Sequence, residues 1–299
     1  MIQALNITKK FDNILAVDNV SATIKNGNVF GLIGTNGAGK STFLRMASGI
    51  LKPDSGSIKI DDKDIFDNVD VKSKFFYISD EQFFFSNSTP EDMKNYYKTI
   101  YKDFDIDRYK KLMKSFNLDE KRKIKTFSKG MKKQVSVICG ICSKTDYLFC
   151  DETFDGLDPV VRQAVKSLFA QDIEDRNLTP VIASHNLREL EDICDNIGLL
   201  HRGGMLLSKD LEELKLDIHK VQIVFKDGIP EKIYSDLDII KTDSRGSLNV
   251  FTIKGDGEHI NSYLASLKPI FFEILPLSLE EIFIAETEGI GYDIKSLII

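Results

Sequence analysis

A glycine-rich stretch near the N-terminus has the residue types and the spacing that bind phosphate groups. It fits the pattern G-x-x-x-x-G-K-S/T. The residues of this phosphate loop are Gly34, Thr35, Asn36, Gly37, Ala38, Gly39, Lys40, Ser41 and Thr42. An apolar run over residues 29–33 predicts a strand before the loop, and residues 43–48 predict a helix after it. In that context the glycines let successive N–H groups point into one hollow, and the positive end of the helix favours anions there.

Two side chains of the phosphate loop have chemical roles that follow from the pattern. Lys40 can reach the outer phosphates of a bound nucleotide, and Ser41 offers a hydroxyl group to Mg²⁺. The alternative is a glycine turn without a ligand, which the flanking strand and helix disfavour.

Two adjacent carboxylates, Asp151 and Glu152, end a second apolar run that begins near residue 147. Open α/β sheets bind their ligands at the carboxyl ends of strands. One carboxylate can hold Mg²⁺ through its water shell, and the next can orient or activate a water molecule. An exposed turn is the alternative. A third apolar run over residues 180–184 ends in His185, for which a structural role and a phosphate contact are equal alternatives.

Ser128 precedes a predicted helix and has the side chain of a good N-cap. Basic residues are frequent just before and within the start of this helix, at positions 121, 122, 123, 125, 129, 132 and 133. Two interpretations stay open, namely a solvated basic face and an anion site at the helix N-terminus.

Aromatic residues at two places suggest contact surfaces. Phe11 lies in a loop-like stretch, where its ring could stack on a nucleotide base or simply pack against neighbours. Phe83, Phe84 and Phe85 are consecutive, and three neighbours on a strand cannot all face one core. We therefore expect at least one of these rings to be exposed, with core packing as the alternative.

The elements that position these residues follow from the pattern of the whole chain. Residues 2–24 alternate between apolar and polar side chains, which predicts an antiparallel sheet. From Thr89, a suitable N-cap followed by Pro90, the pattern is helical to about Leu118. We expect a nucleotide-binding domain over residues 1–216 with a helical insert at about 86–145, and a small α+β accessory domain over residues 217–299.

Composition limits the class of protein. The chain has 299 residues and a net charge of −6, which argues against non-specific binding to nucleic acid because such binding usually needs a basic face. No apolar run reaches the roughly 18 residues that span a bilayer, and residues 1–5 lack the layout of a signal peptide. We expect a cytoplasmic protein. Cys139 and Cys142 have redox-pair spacing but lie in an apolar, helical stretch, so we expect a structural role for them.

The order of these motifs resembles that of the ATP-binding subunit of ABC transporters, over residues 1 to about 215. The resemblance implies the P-loop NTPase fold of ABC ATPases, with a mixed sheet, an antiparallel β subdomain and a helical insert. Phe127–Met131 resembles the signature sequence of this family, in the form common in the ABC-2-type exporter branch. Residues 155–158 resemble its D-loop.

The resemblance also implies roles for individual residues. Phe11 stacks on adenine, Glu152 polarises the attacking water, His185 contacts the γ-phosphate, and Asp158 communicates across a dimer interface. Mg²⁺ is held by Ser41 and Asp151, with Asp80 at the position of the family's glutamine and Gln82 two residues later as the other candidate. The nucleotide of a partner subunit contacts Ser128, Lys129, Gly130 and Met131.

The function implied is that of an ATP-binding and ATP-hydrolysing subunit that powers a membrane transporter, of the exporter type, through ATP-driven dimerisation. Its partners are a second ATPase subunit, identical or different, and a separate permease at the inner face of the membrane, for which Phe83, Phe84 and Phe85 are the candidate docking patch. Two alternatives stay open. One is a soluble ABC ATPase that acts on ribosomes or DNA, and the other is a small-molecule kinase with a phosphate loop.

Overall fold

The computed structural model describes residues 1–226 and 228–288. These residues form two compact units, which divide between Ser208 and Lys209. Within the described ranges, no helix has both the length and the apolar character needed to cross a membrane. The strands, in chain order, are β1 (Ile2–Phe11), β2 (Ile14–Ile24), β3 (Phe30–Ile33), β4 (Ser55–Ile60), β5 (Lys63–Asp64), β6 (Phe75–Ile78), β7 (Tyr147–Asp151), β8 (Thr179–Ser184), β9 (Asn196–His201), β10 (Gly204–Asp210), β11 (Ile218–Val224), β12 (Asp238–Arg245), β13 (Leu248–Lys254) and β14 (Phe271–Leu275).

The α-helices lie between these strands, except for the last one, which follows β14. In chain order they are α1 (Lys40–Ala47), α2 (Val69–Lys72), α3 (Pro90–Ile100), α4 (Ile106–Ser115), α5 (Lys129–Cys142), α6 (Pro159–Arg176), α7 (Leu187–Glu191), α8 (Leu211–Asp217), α9 (Lys232–Asp236), α10 (Gly257–Ser266) and α11 (Leu279–Glu288). The helix that follows the phosphate loop therefore begins at Lys40, three residues before the start that the sequence pattern indicated.

An antiparallel sheet in the order β2-β1-β4-β5 opens the first unit. The alternation of side chains buries Ile2, Ala4 and Ile7 on one face of β1. The expected antiparallel sheet is confirmed. The loop-like assignment of Phe11 is wrong, because Phe11 is the last residue of β1 and pairs with Ile14 across a tight turn.

The six-stranded sheet positions the candidate site. Its order is β10-β9-β3-β8-β7-β6, and β3 pairs in parallel with both β8 and β9, as β7 does with both β6 and β8. All residues of β3, β7 and β8 are buried, as expected for parallel strands that are covered on both faces. Because parallel neighbours end at the same edge of the sheet, the residues that follow β3, β7 and β8 meet there.

Three α-helices, α3, α4 and α5, lie between β6 and β7, where the sequence pattern predicted a helical insert. Thr89 caps α3 in a capping box with Asp92, and Pro90 is its first residue, as predicted.

The thiols of Cys139 and Cys142 are free and buried in α5. Burial raises the pKa of the Cys142 thiol to about 12, which fits the predicted structural role. The predicted α/β fold class is confirmed.

The second unit is a four-stranded antiparallel sheet in the order β12-β13-β11-β14. Its core packs Val221, Ile223, Phe251 and Ile253 from the sheet against Ile260 and other apolar residues of the helices. It is the small α+β arrangement that the sequence pattern predicted.

Candidate functional site

The phosphate loop is held in shape by its backbone. Gly39 has φ 103° and directly precedes α1. A Cβ atom there would lie 2.3 Å from the carbonyl oxygen of Ala16, so only glycine fits. The amide of Ala38 donates to Thr35 O at 3.1 Å, and the Ala38 carbonyl accepts from Gly203 N at 3.1 Å. The loop is therefore shaped before any ligand binds.

Lys40 lies in the hollow of this loop, and its side chain is only 5% exposed. Its ammonium donates to Gly34 O at 2.8 Å and to Thr35 O at 3.2 Å, and it lies 3.3 Å from Glu152 Oε1. A cation held among oxygen acceptors at the N-terminus of a helix can exchange those acceptors for phosphate oxygens.

Asp151 ends β7 and is 1% exposed. One carboxylate oxygen accepts from Ser41 Oγ at 2.9 Å and the other from the Tyr77 hydroxyl at 3.1 Å. Burial raises the pKa of this carboxyl group, and the nearby Glu152 raises it further, whereas the two hydrogen bonds lower it. Burial and the charge of Asp151 together raise the pKa of the Tyr77 phenol. The Ser41 hydroxyl and the Asp151 carboxylate form a set of hard oxygen donors beside the phosphate loop.

Glu152 and His185 meet because β7 and β8 are neighbours. Glu152 Oε2 lies 2.9 Å from His185 Nδ1, and the backbone N–H of His185 points at the same oxygen from 3.4 Å. Glu152 has φ 47°, in the left-handed region that few non-glycine residues adopt. Its carboxylate thus lies between Lys40 and His185, at a position from which it can accept a proton from a water molecule.

The signature sequence forms the start of α5. Ser128 is the N-cap of α5 and accepts from Met131 N at 3.2 Å, as predicted. A Cβ atom on Gly130 would lie 3.0 Å from Gly156 O, so the start of α5 and the turn before α6 are in close approach. Lys129 Nζ pairs with Asp155 Oδ2 at 3.1 Å. Asp158 caps α6 by accepting from the amides of residues 160 and 161.

The solvated-face interpretation is wrong for Lys133, which is 0% exposed. Its ammonium donates to the carbonyl oxygen of Glu152 and lies 3.3 Å from Asp80 Oδ1. The helical period of the sequence could have predicted this burial, because Lys133 precedes the buried residues Val137 and Ile141 by one and two turns. The hydroxyl of Tyr77 was also missed, and an apolar strand pattern gave no signal for it.

The remaining candidates are Phe11, the three consecutive phenylalanines and Gln82. Phe11 is half exposed, with the ammonium of Lys9 5.7 Å from its ring centroid. Phe83 is 74% exposed and Phe85 is half exposed, which confirms that not all three rings are in the core. The amide group of Gln82 donates to Ser79 O at 3.0 Å and to Asp80 O at 2.6 Å, so it is turned back on its own loop.

Known proteins are similar to this chain in sequence and in fold. The model of the family described as ABC transporter matches residues 17–155. The ABC transporter ATP-binding protein YtrB of Bacillus subtilis (strain 168) is 32% identical over 289 residues, which is 97% of this chain and 99% of YtrB. The bacitracin transport ATP-binding protein BcrA of Bacillus licheniformis is 29% identical and covers 72% of this chain and 71% of BcrA. A solved dimeric ATP-binding cassette, in a post-hydrolysis state bound to ADP and Pi, has a TM-score of 0.63 and 21% identity, over 71% of this chain and 99% of that one.

The match to YtrB extends over nearly the full length of both chains, so it includes the second unit as well as the phosphate loop. These relatives are transporter subunits, which supports the transporter hypothesis over the ribosome, DNA and kinase alternatives. With the phosphate loop and the carboxylate pair in place, the chain belongs to the family of ABC transporter ATP-binding proteins, and it is a nucleotide-binding ATPase subunit that powers a membrane transporter.

Proposed function

We propose that this chain hydrolyses ATP at composite sites in a dimer, with Glu152 as the general base. The observation that carries the proposal is the placement of the Glu152 carboxylate between Lys40 and His185 at the mouth of the phosphate loop. Lys40 binds the outer phosphates, Glu152 takes a proton from the attacking water, and His185 contacts the γ-phosphate. The exposed ring of Phe11 is the surface on which adenine stacks.

The donor set beside the phosphate loop fits Mg²⁺. Within the described part of the chain, no group of three or more His, Cys, Asp or Glu side chains is arranged to hold a metal. Mg²⁺ needs no such group, because it keeps several water ligands and binds through one or two protein oxygens and the substrate phosphates. Ser41 and Asp151 would supply those oxygens. The carboxylate of Asp80, in the loop after β6, would also help to hold the ion. The ion would neutralise charge that develops on the phosphates.

The Mg²⁺ assignment predicts a selective effect of Ser41→Ala. We expect ATP affinity in EDTA to stay within about twofold of the unaltered protein, and the gain in affinity on adding Mg²⁺ to fall by about tenfold, the equivalent of one lost polar contact. Titration of a fluorescent ATP analogue with and without Mg²⁺ measures both. Ser48→Ala removes a hydroxyl from the C-terminal end of the same helix and is the matched control. If Mg²⁺ raises the ATP affinity of Ser41→Ala as much as that of the unaltered protein, the assignment is contradicted.

The second half of each composite site is the start of α5 of the other subunit. The N-terminal end of this helix favours anions, and the Ser128 hydroxyl can donate to a γ-phosphate. Lys129, Gly130 and Met131 lie in the first turn, and Asp158 is on the adjacent turn. The dimeric cassette with ADP and Pi, whose fold is similar, supports this arrangement.

We infer that the membrane partner is a separate permease chain and that the transport direction is export. The inference rests on the signature sequence and on BcrA, which is named for bacitracin transport. On this inference, the chain lies at the cytoplasmic face of the membrane. We propose an ATP-binding domain over residues 1–216, which ends eight residues beyond the division between the two compact units, and an accessory role for the remainder.

Phe83, Phe84 and Phe85 form the proposed docking patch for the permease. The rings of Phe83 and Phe85 are 5.7 Å apart, and Phe85 lies 4.8 Å from the ring of Tyr96 on α3. Aromatic anchors of this kind dominate binding energy at interfaces. The patch is therefore an exposed aromatic cluster that is anchored to the helical insert.

The docking proposal predicts that Phe83→Asp weakens binding to the permease by about 10- to 100-fold without changing basal ATP hydrolysis. Phe66→Asp, at an exposed phenylalanine away from the patch, is the control. The measurement is recovery of a polytopic membrane protein with the tagged chain from detergent-solubilised membranes. Equal recovery with Phe83→Asp and with the control would show that the patch does not dock the permease.

A further inference from the structure

Lys133 is a fully buried cation at the meeting point of three segments. Its ammonium donates to the carbonyl oxygen of Glu152, lies 3.3 Å from Asp80 Oδ1 and lies 4.0 Å from Asp155 Oδ2. Glu152 follows β7, Asp80 follows β6, and Asp155 precedes α6. A buried ammonium is tolerated only when it is paired. These contacts therefore fix the position of α5 relative to all three segments.

The contact with the Glu152 carbonyl bears on catalysis. Glu152 has a left-handed backbone, with φ 47°. Such a conformation persists only where the surroundings fix it. The Glu152 amide donates to Ala183 O at 3.0 Å, and its carbonyl accepts from Asp155 N at 3.2 Å as well as from Lys133. Lys133 thus supplies the charged hydrogen bond that holds the peptide from which the Glu152 carboxylate projects.

Lys133 also has a fixed relation to the start of α5. It follows Ser128 by five residues, which is about 7.5 Å along a helix axis at 1.5 Å per residue. On the proposed function, on which this step rests, Ser128 contacts the nucleotide of the partner subunit. A displacement of α5 on engaging that nucleotide would act on Lys133 directly, because a helix moves as a rigid rod.

We propose that Lys133 is a positioning residue for ATP hydrolysis. It holds the backbone of Glu152, and it transmits the position of the α5 N-terminus to that residue. One subunit's contact with its partner's nucleotide is thereby connected to its own general base.

The test is Lys133→Met, which keeps a long apolar stem and removes the ammonium. We expect kcat for ATP hydrolysis to fall by about 10- to 100-fold, the scale for a misplaced catalytic group, while KM changes by less than about twofold. Lys133→Gln keeps a neutral donor and should retain more activity than Lys133→Met. Lys94→Met is the control, because Lys94 is another buried lysine with a carboxylate partner, in the helical insert.

The proposed dimer is measured separately, from size-exclusion chromatography of Glu152→Gln with ATP. We expect Lys133→Met combined with Glu152→Gln to form the same ATP-bound dimer as Glu152→Gln alone. Normal turnover in Lys133→Met, or a loss matched in size by Lys94→Met, would overturn the role of Lys133. Failure of Glu152→Gln alone to dimerise would instead overturn the composite site.

Discussion

Replacing Glu152 by glutamine should leave ATP binding intact and lower kcat for hydrolysis by about 100-fold or more. The amide has the shape of the carboxylate but cannot accept the proton of the attacking water. The carboxylate also lies 3.3 Å from Lys40 Nζ, so its charge competes with phosphate for that cation. Removing the charge favours retention of the γ-phosphate, and we expect an ATP-bound dimer to accumulate.

Phosphate release at saturating ATP and Mg²⁺ measures the first effect, and size-exclusion chromatography with light scattering measures the second. Asp146→Asn is the matched control, because Asp146 is an exposed carboxylate just before the other end of β7. We expect it to hydrolyse ATP normally and to remain in equilibrium with the monomer. Turnover by Glu152→Gln within about threefold of the unaltered protein would remove Glu152 from the role of general base.

The phosphate loop and its surroundings were predictable because their determinants are local. A strand, a glycine turn and a helix follow one another within about 20 residues, and glycine is required where φ is positive, as at Gly39. The caps of α3 and α5 were predicted correctly for the same reason, since Thr89 and Ser128 accept hydrogen bonds from amides three residues away.

What the sequence did not predict depends on distant partners. One of the two interpretations placed Lys133 on a solvated face, but it is buried because Asp80, Glu152 and Asp155 surround its ammonium. Those partners are 53, 19 and 22 residues away along the chain. Phe11 was placed in a loop because the turn residues follow it at once, whereas pairing with Ile14 extends β1 to the turn itself.

The strongest test of the composite site is recovery of activity by mixing two inactive variants. Lys40→Ala damages the phosphate loop, and Ser128→Arg places a bulky cation at the exposed start of α5. In the proposed dimer, these changes affect opposite halves of each site. A mixed dimer has one site with both defects and one site with none. If dimers form at random, half are mixed and one of their two sites is intact, so about a quarter of the normal activity should return.

Mixing Lys40→Ala with Glu152→Gln is the matched control. The ammonium of Lys40 and the carboxylate of Glu152 are 3.3 Å apart within one chain, so they serve the same half of a site. Every site in every pairing then carries one of the two defects, and no activity should return. Recovery in both mixtures, or in neither, would contradict a site shared between two copies of this chain. Recovery only with Ser128→Arg would place the phosphate loop and the start of α5 on opposite sides of one nucleotide.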